Sequence, residues 1–157
     1  MYTFAKKNMT EIITATSEHI DFIAQSQQAM AKETENYELP LETLLKGVRH
    51  IIEHPEKGFY LIALREGKPA ACMLVLYEWS DWRNGEVLWI HSLFVLPKFR
   101  RSGIFTLFYD FLKNKVEESS TFRGIRLYVE KNNTTAQAAY RKVGMTDEHY
   151  DLFEWLK

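Results

Sequence analysis

The sequence predicts an α/β fold, a central mixed sheet flanked by helices, with the element order β-α-α-β-β-β-α-β-α-β over 157 residues. Three observations carry this expectation. Short apolar runs alternate with amphipathic stretches of helical period, the pattern of strands exchanging with helices. Three of the runs follow one another between residues 58 and 96 with turn residues between them, so they should pair antiparallel. A strand–helix–strand unit then covers residues 86–130, and such crossovers close right-handed.

Taken in order, residues 11–16 (EIITAT) read as the first strand. Ser17 caps a helix with Ile20, Ile23 and Ala24 on one face. A polar stretch with Glu33, Glu35 and Glu38 follows, and Pro40 opens a second helix. Leu41, Leu44, Leu45 and Val48 recur there at helical spacing, and Pro55 ends it. Residues 59–64 and 70–77 surround Glu66-Gly67-Lys68 as a hairpin, and a third run over 86–96 follows a turn at Arg83-Asn84-Gly85. Ile104, Leu107, Phe108, Phe111 and Leu112 form the stripe of the next helix. Residues 124–130 are a strand with Ile125, Leu127 and Val129 on one face. Asn133 or Thr134 caps a helix whose stripe is Ala136, Ala139, Tyr140 and Val143, and Gly144 terminates it. Residues 149–155 read as a last strand, whose aromatics are a candidate seam for a homodimer.

Composition bounds the function. The chain is 46% hydrophobic, with 20 Lys+Arg against 21 Asp+Glu, which fits one globular domain over 1–157 and argues against a dedicated nucleic-acid binder. Residues 58–157 carry the motifs. The single cysteine cannot form an internal disulfide, and no signal peptide or membrane span is visible, so a cytoplasmic protein with no membrane partner is expected. None of the seven glycines forms a G-x-G-x-x-G or a P-loop. The aromatic surplus, 14% of the chain, can fill a core or line a pocket.

The charge is uneven. Residues 98–126 hold seven basic and three acidic side chains, a net +4 against −5 elsewhere. This basic stretch begins where a strand runs into a helix start, at Val95-Leu96-Pro97-Lys98-Phe99-Arg100-Arg101-Ser102-Gly103-Ile104-Phe105. A helix N-terminus with outward N–H groups and nearby cations can hold phosphate. By spacing alone, the turn fits a solvated charged loop equally well.

Val95-x-Pro97-x-x-Arg100-x-x-Gly103-Ile104 resembles the acetyl-CoA signature of the GNAT superfamily of N-acetyltransferases. Val129-x-x-x-Asn133-x-x-Ala136-x-x-x-Tyr140-x-x-x-Gly144-Met145 is similar to that family's second motif, at the expected separation. The resemblance implies acetyl-CoA as cosubstrate, no metal, and a small-molecule amine as acceptor. It implies that backbone N–H groups from Arg101, Ser102, Gly103, Ile104 and Phe105 hold the pyrophosphate, with Arg100 heading the motif. It further implies that the strand edge at residues 93–95 pairs with pantetheine, that a backbone N–H near Phe94 or Val95 polarises the thioester carbonyl, and that Asn133 touches the cofactor arm. Phe105 departs from the small residue usual in the motif, and is expected to point into the core with Phe108 and Leu112.

Acetyl transfer needs a group to take the amine proton and another to protonate the leaving thiolate. Tyr140 stands where the family has its general acid; by spacing alone it is a core tyrosine. Many family members carry a Glu where Trp89 stands, so His91, expected to share a face with Trp89, Leu93 and Val95, is the candidate base. Glu86, Glu78, Asp81 and a water relay are its rivals. Tyr77, Glu78, Trp79, Asp81 and Trp82 combine rings and carboxylates as a candidate wall for a cationic acceptor, or as a turn packed on a neighbouring subunit. Glu33, Glu35 and Glu38 add acidity, or form a solvated loop. The alternative function is an acyl-CoA-binding sensor or structural module without turnover, favoured by the missing Glu and by Phe105. His50-x-x-Glu53-His54 matches an inverted zinc-peptidase motif, but Pro55 takes His54 out of the helix. Cys72, mid-strand, reads as a small buried hydrophobe.

Overall fold

The computed structural model describes residues 9–157. Strands β1 (Thr10–Thr14), β2 (Gly58–Arg65), β3 (Lys68–Ser80), β4 (Gly85–Val95) and β5 (Phe122–Leu127) form one sheet in that order. The helices are α1 (Ile20–Glu35), α2 (Leu41–Glu53), α3 (Ile104–Glu117) and α4 (Thr134–Lys142). The chain divides into two compact units, one ending at Arg126 and one running from Leu127 to Lys157.

In the first unit β1 to β4 are a meander of antiparallel pairs. The β2–β3 hairpin turns on Glu66 (φ +52°) and Gly67 (φ +76°), two consecutive left-handed residues, as a two-residue turn between right-twisted strands requires. Residues 70–75 are buried on both faces, which explains their unbroken apolar run. One face packs Tyr60, Ile62, Cys72, Leu74 and Phe94 against Ile20, Ile23 and Ala24 of α1 and Val48 of α2. On the other, Leu61, Met73, Val75 and Leu88 are fully buried, as are Phe108 and Leu112 of α3, which packs on β1 and β2. Each such large side chain removed from water stabilises the fold by about 2–3 kcal/mol before entropy is counted.

Local chemistry sets the helix ends. Pro40, in extended conformation, precedes α2, and Pro55 forces His54 out of it at φ −126°, ψ 69°. The His54 ring stacks on His50, and its Nδ1 donates to the His50 carbonyl at 2.7 Å. Leu41 and Leu107, expected in apolar stripes, are instead exposed, at the margins of α2 and α3.

In the second unit Asn133 caps α4, its Oδ1 accepting from the Ala136 N–H at 3.1 Å. Ala136, Ala139, Tyr140 and Val143 are all half-buried. Gly144 ends the helix at φ +89°, a conformation that disfavours any side chain.

The expected last strand is absent: residues 149–155 form neither strand nor helix, and Phe153 and Trp155 are 92% and 88% exposed. Alternating apolar residues give a segment strand propensity, but a strand exists only when another pairs with it.

Candidate active site

The site is built on the end of β4. Leu74 of β3 pairs with Ser92, but the next residue, Val75, pairs with Ile90, so His91 is the extra residue of a β-bulge. The bulge corrects the expected face. Trp89 shares its side with Ser92 and Phe94, whereas Leu93 and Val95 share the other with Leu88 and Ile90. His91 is exposed, and partial desolvation holds its imidazole below the ordinary histidine value. It is therefore neutral at pH 7, the form that accepts a proton.

Beyond β4, Pro97–Phe99 make a 3-10 turn, and the Ser102 hydroxyl donates to the Phe99 carbonyl at 2.5 Å. Arg101 (φ +60°) and Gly103 (φ +78°) are both left-handed, two residues apart, and Gly103 caps α3. The helix opens on an exposed turn beside the exposed cations Lys98 and Arg101. A Cβ at Gly103 would meet no atom within 4 Å, so the space over the helix start is open to a ligand. The first N–H groups of a helix have no intrahelical partner and sit at the positive end of its dipole, a combination that favours an anion.

The side chains of this segment divide. Phe94 and Ile104 are buried in the core, so only their backbones can serve a ligand. Phe105 corrects an expectation: it does not join the core stripe of Ile104, Phe108 and Leu112 but lies half-buried beside it, its ring 6.1 Å from that of Tyr109. Residue 105 is one helical step, about 100°, round from Ile104, which moves its side chain to the flank. Arg100 is tied inward: its Nε donates to the Val95 carbonyl at 3.0 Å, and its terminal nitrogen donates to Glu33 of α1 at 2.7 Å. Gln27, two turns earlier on α1, donates to the Ser92 hydroxyl at 3.1 Å.

Sequence reasoning missed Gln27, Ser92 and the Glu33–Arg100 pair. The signal for Gln27 was present, since a polar residue stands where the stripe of Ile20, Ile23 and Ala24 would continue.

The expected acceptor wall is not one surface. Tyr77, Glu78 and Trp79 belong to β3, and only Asp81 and Trp82 lie in the turn. Tyr77 pairs with Leu88 and Glu78 with Val87, so their side chains take opposite faces. Tyr77 stacks on Phe122 at 5.8 Å, and burial, then the Glu86 charge, push its phenol upward. Glu78 accepts from Arg126 at 2.7 Å, and Asp81 accepts from the Trp82 N–H at 2.9 Å. The turn at residues 81–84 precedes the bulge by some seven strand residues, a run of roughly 20 Å.

Tyr140, in the second unit, is half-buried on α4, and desolvation raises its phenol above the ordinary tyrosine value. It stays protonated at neutral pH, as a proton donor must. Cys72 is fully buried, and burial pushes its thiol up to about 12, so it is no thiolate nucleophile at neutral pH. Among the described residues no group of three His, Cys, Asp or Glu side chains could hold a metal ion, and no helix is long and apolar enough to cross a membrane.

Residues 20–145 match the Acetyltransferase (GNAT) family. No curated protein matches the sequence. Among solved structures, a possible acetyltransferase from Clostridium difficile 630 is 38% identical with a TM-score of 0.88, over 95% of this chain and 98% of that one. The aminoglycoside N-acetyltransferase AAC(6')-Iy in complex with CoA shares the fold at 15% identity and a TM-score of 0.75, over 98% of this chain and 99% of that one. A ribosomal-protein-alanine N-acetyltransferase from Brucella melitensis biovar Abortus 2308 does so at 13% identity and a TM-score of 0.75, over 94% of this chain and 100% of that one. With its match spanning most of the chain, and a solved acetyltransferase of the same fold 38% identical to it, this protein belongs to the GNAT acetyltransferase family and is an acetyl-CoA-dependent acyltransferase.

Proposed function

We propose that the protein transfers the acetyl group of acetyl-CoA directly to a primary amine of a small molecule, in a ternary complex. The observation that carries this is the uninterrupted run from the bulge at His91 to the left-handed turn at Arg101 and Gly103. One strand end thus offers both an exposed imidazole and a diphosphate cradle. We read 1–157 as one catalytic domain, because the family match crosses the boundary between the two units.

Bound acetyl-CoA supplies an activated acyl group; the chain supplies position and proton transfer. N–H groups of residues 101–105 hold the diphosphate, and a backbone N–H at Phe94 or Val95 polarises the thioester carbonyl. The Oδ1 of Asn133 is engaged by its own helix cap, so a contact to the cofactor arm comes from its Nδ2 donors. His91 accepts the ammonium proton; of its rivals, Glu78 is ion-paired with Arg126, while Glu86, Asp81 and a water relay are tested by the His91 variant below. Tyr140 donates to the departing sulfur. Its raised pKa makes full transfer to a thiolate uphill, so it acts as a hydrogen-bond donor while the C–S bond breaks.

Thiol release from acetyl-CoA with a panel of small amines tests the reading. Turnover with at least one class is expected. Tight CoA binding without turnover on any amine would favour the acyl-CoA-binding module. His91→Ala should lower kcat/KM by about 10²-fold. In the parent, kcat/KM should fall on acidification with an apparent pKa below 6.5, because the folded imidazole takes its proton later than a free one. An unaltered acidic limb in the variant would remove His91 from the mechanism.

A further inference from the structure

We infer that Glu33 belongs to the cofactor site as a positioning residue: by clamping Arg100, it holds the turn at residues 101–103 in its anion-binding shape. The inference rests on the acetyl-CoA reading above and adds a residue outside both signature motifs.

The guanidinium of Arg100 is committed to the chain itself. It donates to Glu33 at 2.7 Å and to the Val95 carbonyl at 3.0 Å, and it lies 5.5 Å from the centroid of the Phe94 ring. Neutralised by a carboxylate, it has little charge to offer a diphosphate. Its leverage is on the backbone instead. The next residue, Arg101, sits at φ +60°, a left-handed conformation that is strained for a side-chain-bearing residue and needs outside support. The clamp fixes the residue immediately before it to two elements, the end of β4 and the last turns of α1. The second tie, Gln27 to Ser92, secures α1 to β4 on the other side of Phe94. Glu33 also lies where the helix macrodipole disfavours a carboxylate, in the C-terminal part of α1, and Arg100 offsets that.

The two roles open to Arg100 differ in sign. If Arg100 bound phosphate directly, removing the Glu33 charge would release a full cation and tighten CoA binding. If the pair positions the turn, the same change loosens it. CoA binding by calorimetry should therefore be compared for the parent, Glu33→Gln, Arg100→Lys and the double variant, with thermal unfolding alongside. Glu33→Gln should raise the Kd for CoA about two- to fivefold, the range of a half-exposed ion pair. Arg100→Lys, which keeps the charge but loses the fork, should do at least as much, and the double variant should be no worse than Arg100→Lys. The effect should fall on KM for acetyl-CoA and not on kcat. Unchanged or tighter CoA binding in folded Glu33→Gln, or additive effects in the double variant, would overturn the inference. A parent chain that binds no CoA would overturn the acetyl-CoA reading itself.

Discussion

Tyr140→Phe is expected to lower kcat about 100-fold while leaving KM for acetyl-CoA within about twofold, the pattern of an interaction made only as the thiolate leaves. The change removes one oxygen from a half-buried ring and keeps its shape, so α4 and its Asn133 cap should persist. The pH profile supplies the control. Burial raises the phenol pKa, so the donor form survives past pH 10, and the tyrosine-dependent loss of activity in the parent should lie on that alkaline side, apart from the acidic limb assigned to His91. The Phe variant should be slow at every pH and lack that tyrosine-dependent limb. Steady-state kinetics with saturating amine between pH 6 and 10.5 reads both. A variant with the parent's kcat would return Tyr140 to the apolar stripe of α4.

The expected order of elements was legible as far as α4 because it depends on local signals, whereas the last expected strand, at 149–155, did not form. Glu66–Gly67 adopts a left-handed two-residue hairpin turn, Gly144 takes the left-handed conformation that marks a helix end, and Gly103 supplies the glycine that a left-handed residue before α3 favours. What could not be read depends on partners distant in sequence. A bulge adds one residue without altering the composition of β4, yet it inverts every face beyond His91 and separates Trp89 from Leu93 and Val95. The expected wall of rings and carboxylates dissolved for a related reason. β3 runs on to Ser80, and strand alternation sends Tyr77 and Glu78 to opposite sides. The Glu33–Arg100 and Gln27–Ser92 ties join residues 67 and 65 apart, beyond the reach of any periodicity. The turn at residues 101–103 was the exception among the features of the candidate site: glycine, basic residues and a helix start are contiguous in sequence, so the turn could be seen before the fold.

Gly103→Val should raise KM for acetyl-CoA at least 30-fold, because it opposes both properties this position supplies. The left-handed backbone at φ +78° penalises a β-branched side chain, by roughly 1–2 kcal/mol. The new atoms would also enter the open space over the helix start, where no protein atom lies within 4 Å of a Cβ. Gly103→Asn separates the two effects. Asparagine tolerates the left-handed region, so the backbone and the thermal stability should be nearly those of the parent, while its side chain still occupies the cradle. Both variants should therefore bind CoA weakly, and only the Val variant should also lose stability. A calorimetric Kd for CoA and a melting curve for each resolve the pair. If Gly103→Asn bound CoA as tightly as the parent, the space over residues 101–105 would not be where the diphosphate sits. The weakening in Gly103→Val would then be one of backbone strain alone, and the positive charge of Lys98 and Arg101 would serve some other face of the turn. If both variants lose CoA and only the Val variant melts early, the open space beside Gly103 is ligand volume. The run of N–H groups at the start of α3 then has its anion.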